Sequence, residues 1–155
     1  MAKALIDTPI GALTVIANDV GVCRVWFGDL DEDMNGTSVA DAHLAAALAQ
    51  LLEYFDRQRN DFDVPIDRSE RAGFRGEVLR ALETVSFGQT ITYGELAARA
   101  GRPKAARAVG SAMATNPVAI IVPCHRVLPR SGGVGQFGGG GAAKEWLLRR
   151  EGSLD

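Results

Sequence analysis

The residues best suited to chemistry stand together in Pro123-Cys124-His125-Arg126, where a thiol is followed at once by an imidazole and a guanidinium, just after the apolar run Ile120-Ile121-Val122. The chain has only two cysteines and two histidines, so one of each side by side makes a candidate nucleophile and a candidate base. An ordinary thiol, with a pKa of about 8.5, is mostly protonated near neutral pH, and some group must take its proton before the sulfur attacks carbon. In an extended segment Cys124 and His125 point to opposite faces, so direct contact requires the chain to turn there. The rival reading is an inert buried cysteine that closes a core strand.

The segments around the thiol must position it. Upstream, Thr90 to Gly101 reads as a short helix ending at a glycine, and Arg102-Pro103-Lys104 opens a second helix over 105–114. Two short helices joined by a glycine-containing turn make a helix-turn-helix pattern, common also in proteins that never touch DNA. The second helix is nearly smooth: Ala105, Ala106, Ala108, Gly110, Ser111 and Ala112, with Arg107 its one long charged side chain after Lys104. Such a surface allows close approach, either to other helices inside the domain or to a ligand. Asn116-Pro117 follows, and beyond the thiol lie a glycine-rich stretch from Gly132 to Gly141 and then Lys144-Glu145-Trp146-Leu147-Leu148-Arg149-Arg150-Glu151-Gly152.

Taken together and in this order, the Asn-Pro, the Pro-Cys-His-Arg-Val, the glycine loop and the Lys-Glu-Trp-Leu-Leu segment resemble the O6-alkylguanine-DNA alkyltransferase family of self-methylating DNA repair proteins. The resemblance runs from about Phe74 to Gly152 and is weaker before that. It implies irreversible, single-turnover transfer of a methyl or larger alkyl group from guanine O6 to Cys124, after the nucleotide has been flipped from the duplex. By the same resemblance His125 takes the thiol proton through a bound water, and Glu151 accepts a hydrogen bond from the imidazole. Tyr93 supplies a proton to the leaving guanine and also serves at the phosphate. Asn116 ties the helix end to the cysteine segment, with a plain Asn-Pro turn as the rival reading. The smooth helix, with Ala105, Ala106 and Gly110, is the element that enters the minor groove, and Arg107 fills the gap left by the extruded nucleotide. Met113 and Phe137 sandwich the base, while backbone groups of Cys124, Val127 and Gly138 meet its edge. Many relatives have Tyr in place of Phe137 and Ser or Ala in place of Gly138; stacking and a backbone N–H survive these changes.

Composition fits this reading. At 155 residues with 46% hydrophobic and 23% charged, the chain is long enough for a core without staples, and its longest apolar runs are far below the roughly 20 residues of a membrane helix. The first residues lack the apolar centre of a secretion signal, which points to the cytoplasm. No cofactor is expected: two cysteines and two histidines, including His43, form no recognisable zinc spacing, and Cys23 reads as a half-buried strand residue. The net charge of −2 hides an asymmetry: residues 1–65 sum to −7 and residues 66–155 to +5, so the second part is the one suited to phosphates.

The expected fold is α+β. Residues 1–68 form a supporting domain, a small antiparallel sheet with a covering helix; residues 69–155 form a mostly helical, winged helix-turn-helix-like domain for DNA binding and alkyl transfer. In the first, three strands (Ala4 to Asp7, Ala12 to Ala17, Val22 to Phe27) form a meander, and an acidic loop spans Gly28 to Ala40. A helix capped by Asp41 carries Leu44, Ala47, Leu48, Leu51, Leu52 and Phe55 on one stripe, and Phe62, Val64 and Ile66 offer a fourth strand. The expected partner is double-stranded DNA bearing O6-alkylguanine, bound from the minor groove by a monomer that can also bind cooperatively, with no membrane involved. Two other functions fit parts of the pattern. A lesion-sensing relative would have lost the nucleophilic cysteine, which is present here; a cysteine hydrolase would need a histidine facing the thiol directly.

Overall fold

The computed structural model describes residues 1–31 and 36–155, and the chain divides into two compact units, Met1–Arg68 and Ser69–Asp155. In the first, β1 (Ala2–Thr8), β2 (Gly11–Ala17) and β3 (Val22–Phe27) pair in sequence as an antiparallel meander, in register Thr8↔Gly11 and Leu13↔Phe27. The turn between β2 and β3 closes where Asn18 Oδ1 accepts from the backbone N–H of Val20 and Gly21. Gly21 is required there, since a Cβ would lie 2.4 Å from the Pro65 carbonyl oxygen.

The helix α1 (Ser38–Phe55) packs against this sheet, starting earlier than its hydrophobic stripe suggests. Thr37, not Asp41, is the N-cap: its hydroxyl accepts from the Ala40 N–H, and Asp41 falls in the first turn, where its charge suits the helix dipole. The buried face is Ala40, Leu44, Ala47, Leu51 and Tyr54, whereas Leu52 is 49% exposed. The acidic loop expected from Gly28 therefore ends before Ser38, and its centre lies outside the described residues. The expected fourth strand does not form. Only Ile66 bridges Val22, through Val22 N–H to Pro65 O (2.8 Å) and Asp67 N–H to Val22 O (2.9 Å), and Pro65 has no N–H with which to extend a ladder.

The second unit is built from α2 (Gly73–Leu82), β4 (Ile91–Thr92), α3 (Tyr93–Arg99), α4 (Ala106–Ala114), β5 (Val127–Leu128) and α5 (Gly141–Arg150), with β4 and β5 paired in parallel. Thr92 and Glu95 form a reciprocal capping box that fixes where α3 starts, and hence where Tyr93 sits. Gly101, at φ +93°, makes the turn into α4. Leu79, Leu82, Leu96, Val109, Val118, Val122, Leu147 and Leu148 form the core. Among the described residues no helix is long and apolar enough to cross a membrane.

Candidate active site

The segment carrying Cys124 is a turn rather than a strand. Residues Cys124–Arg126 form one turn of 3₁₀ helix directly after Pro123, closed by Arg126 N–H to Pro123 O at 3.0 Å. The apolar run before it folds back on itself. Ile120 takes φ +74°, a conformation costing a β-branched residue about 1–3 kcal/mol. Asn116, just beyond the end of α4, bridges this loop: its Oδ1 accepts from Val118 N–H (3.2 Å) and its Nδ2 donates to Val122 O (2.9 Å). The nucleophile segment and the end of α4 are thus joined through one side chain.

Behind the thiol lies a buried charged group. His125 Nε2 is 2.8 Å from Glu151 Oε2, and both side chains are fully buried. Arg126 forks onto the same carboxylate, Nε to Oε1 at 2.7 Å and Nη2 to Oε2 at 3.1 Å, and its Nη1 donates to Val85 O at 2.6 Å. Burial alone would raise the Glu151 pKa, but the hydrogen bonds and charges of His125 and Arg126 outweigh it and bring it down to about 2. A carboxylate at Nε2 places the imidazole proton there and leaves the lone pair on Nδ1, which is buried and has no hydrogen-bond partner among the described residues.

The two reacting groups are shifted in complementary directions. Burial pushes the Cys124 thiol up, with the Asn116 hydrogen bond and the Lys144 charge only partly offsetting it. Burial pushes His125 down, and Glu151 pulls the other way. The resting pair is a protonated thiol and a neutral imidazole able to accept a proton. Burial brings Lys144 down to about 8; its Nζ donates to Val127 O at 2.7 Å and Gln136 O at 3.3 Å, tying β5 to the glycine loop.

In front of the thiol is a cavity of about 960 Å³. Cys124 lines it, 6% exposed, so the sulfur is buried but not sealed beneath the core. From α4 come Ala106, Arg107, Gly110 and Met113; from the start of α3, Tyr93; from the glycine loop, Phe137 and Gly138. Burial raises the Tyr93 hydroxyl pKa, and the neighbouring Cys124 adds to this, so the phenol keeps its proton. Val109 and Ala112 turn the other side of α4 into the core, while Ala106, Arg107, Ala108 and Ser111 are exposed. The smooth face of this helix is therefore an outer surface.

Four sequence-predicted residues lie off the cavity wall. Asn116, His125 and Glu151 stand behind the thiol as described. Ala105, the N-cap of α4, is outside the lining. Val127, expected to meet the base edge, is fully buried and also outside the lining, and its carbonyl accepts from Lys144. Lys144 itself was not singled out. Its signal was a lysine on the stripe formed by Lys144, Leu147, Leu148 and Glu151, at helical spacing among buried residues. Pro129, Gln136 and Gly141 complete part of the wall without any prior signal beyond their loop.

Two family models account for almost the whole chain: the ribonuclease-like domain of 6-O-methylguanine DNA methyltransferase matches residues 1–68, and the DNA binding domain matches residues 73–153. The chain belongs to the 6-O-methylguanine DNA methyltransferase family. The methylated-DNA–protein-cysteine methyltransferase of Shigella flexneri is 46% identical over 161 residues, covering 96% of this chain and 94% of the relative. The human protein of that name is 39% identical over 172 aligned positions, covering 98% and 81%. A crystal structure of Mycobacterium tuberculosis OGT in complex with DNA matches with a TM-score of 0.84 at 37% identity, over 97% of this chain and 93% of that one. Cys124, the cavity wall and the His125–Arg126–Glu151 group all fall within the stretch matched by the DNA binding domain of 6-O-methylguanine DNA methyltransferase.

Proposed function

We propose that this member of the family repairs DNA by taking a methyl or larger alkyl group from guanine O6 onto Cys124, irreversibly and once per molecule, after swinging the nucleotide out of the duplex. The activity of the family is methyl transfer from methylated DNA to a protein cysteine, and the chain is a DNA-binding repair protein of that kind. The observation that carries the assignment to Cys124 is its place in the wall of a cavity that also borders the exposed face of α4, with a neutral base held behind it. A base rotated out of a duplex lying against α4 enters that cavity, flanked by Met113 and Phe137.

In the reaction, the Cys124 proton passes to His125 Nδ1 through a water, and Glu151 steadies the imidazolium that forms. The thiolate sulfur then attacks the alkyl carbon in line. An S–C bond forms, the C–O6 bond breaks, and its electron pair stays with the guanine, which gains a proton at a ring nitrogen from the Tyr93 hydroxyl. The product thioether is inert to hydrolysis, which makes the protein stoichiometric. Arg107, exposed on α4 at the cavity mouth, occupies the space vacated in the duplex, and the small residues around it, Ala105, Ala106 and Gly110, admit the helix to the minor groove. The protein acts as a monomer on double-stranded DNA, and residues 1–68 support the reacting domain. Its place of work is the cytoplasm.

The test is to incubate the protein with duplex DNA containing O6-methylguanine and to weigh its peptides. The expected result is the mass of one methyl group on the peptide bearing Cys124, with DNA repaired in equal amount. Binding without a mass gain, or repair of many equivalents per protein, refutes the reading.

A further inference from the structure

Arg126 is the third residue of the reactive turn, yet its guanidinium neither lines the cavity nor faces solvent. Its side chain is 8% exposed, forks onto both oxygens of Glu151, and reaches across to Val85 O. The ring of Phe87 lies 6.0 Å from it and takes Arg150 at 5.2 Å. Burying a pair of charges in this way is weak evidence for added stability, because desolvation offsets most of their attraction. Its value must be sought in what it does to a neighbour.

That neighbour is His125. An imidazole 2.8 Å from a bare buried carboxylate is drawn towards its protonated form, and a protonated imidazole cannot take a proton from a thiol. The charged and titratable groups around it are few. Its own turn contributes Cys124 and Arg126; α5 contributes Lys144 and, at its end, Glu151; Arg150 of α5 is directed to Phe87, and Tyr93 of α3 faces Cys124. Only Glu151 favours the imidazolium, while Arg126 and Lys144 oppose it.

We propose that Arg126 is a positioning residue for the base: its fork holds the Glu151 carboxylate against His125 Nε2 and partly neutralises it, so that the imidazole rests uncharged and accepts the Cys124 proton only when alkyl transfer begins. This rests on the alkyl-transfer reading given above. The orienting and the neutralising are separable: a lysine at this position keeps the charge but cannot fork onto two oxygens.

The test follows His125 directly. In the full chain, with His43→Gln to leave one imidazole, the His125 ring resonances are titrated by NMR, and single-turnover alkylation of O6-methylguanine duplex is timed across the same pH range. Arg126→Met raises the His125 midpoint by about one to two pH units, and Arg126→Lys raises it by less. The acidic limb of the rate profile moves with it, so that the rate relative to the parent falls about tenfold further at about pH 6 than at about pH 9. If the Met variant does not fold, the Lys variant decides: an upward midpoint supports the proposal and an unmoved one overturns it. A rate lowered by one factor at every pH, with the midpoint unmoved, makes Arg126 merely structural and overturns it as well. Failure of the parent protein to alkylate at all would instead refute the reading of function, which the NMR midpoint does not depend on.

Discussion

Replacing Glu151 by Gln keeps the shape of the side chain and removes its charge, which isolates what the carboxylate contributes. In the folded chain this carboxyl titrates at about 2, against 4.5 in the absence of its partners. A folded pKa below the unfolded one means that the unfolded chain binds the proton more readily. The stabilisation is therefore fully present above about pH 4.5 and is lost as the pH falls through about 2. The gap corresponds to about 3 kcal/mol near neutrality and about half of that near pH 3. Glutamine also turns an N–H towards donors and leaves Arg126 buried without its counter-charge, a loss of similar size, roughly 3–5 kcal/mol. The assay is urea unfolding of Trp26→Phe and Trp26→Phe/Glu151→Gln proteins, read by Trp146 fluorescence in the second unit at about pH 7, 4 and 3. The expected difference between the two is about 3 kcal/mol at the highest pH, shrinking towards the lowest. A difference below about 1 kcal/mol at neutrality, or one that does not change with pH, refutes the reasoning.

Other consequences can be checked separately. Arg107→Ala weakens repair of duplex DNA by more than it weakens reaction with a free alkylated guanine base; equal losses on both substrates remove Arg107 from nucleotide extrusion. Thr92→Ala breaks the capping box of α3 and costs about 1 kcal/mol, seen as a lower urea midpoint with an unchanged slope. Lys144→Met leaves the Val127 carbonyl without its Nζ partner, costing about 1–3 kcal/mol in stability, and unties Gln136, so that free base binds more weakly in an equilibrium titration. Because burial lowers the folded pKa of His125, the unfolded chain takes up that proton first as pH falls; stability declines below about pH 6.5, and His125→Gln flattens this part of the curve.

Local order made the reacting part of the chain easy to read. Cys124 and His125 are adjacent, Asn116 precedes a proline, and α3 and α4 end and begin at glycine and proline, so their positions follow from rules that act over a few residues. The relay partner Glu151 was reachable only through the resemblance, since a carboxylate 26 residues from its imidazole carries no local mark. Lys144 escaped notice because a lysine in a helix reads as exposed unless its stripe is traced through Leu147, Leu148 and Glu151. The turn at Cys124 was posed as a condition and not decided: Ile120-Ile121-Val122 has the composition of a strand, and tertiary bonds from Asn116 force it into a reversal that propensity opposes. The same failing appears in the first unit, where alternation at Phe62, Val64 and Ile66 suggested a strand that Pro65 forbids, and where Thr37, rather than the more conspicuous Asp41, begins α1.

The glycines around the cavity are of two mechanical kinds. Gly135 and Gly140 hold left-handed backbone, and at Gly135 a Cβ would also strike Pro129, so any side chain there deforms the loop. Gly110 on α4 and Gly141 at the start of α5 are neither left-handed nor crowded, and both border the cavity. An alanine or serine at either position narrows the aperture without bending its frame. Tolerance for bulky adducts is therefore a dial that can be turned at two helices while the loop between them stays fixed.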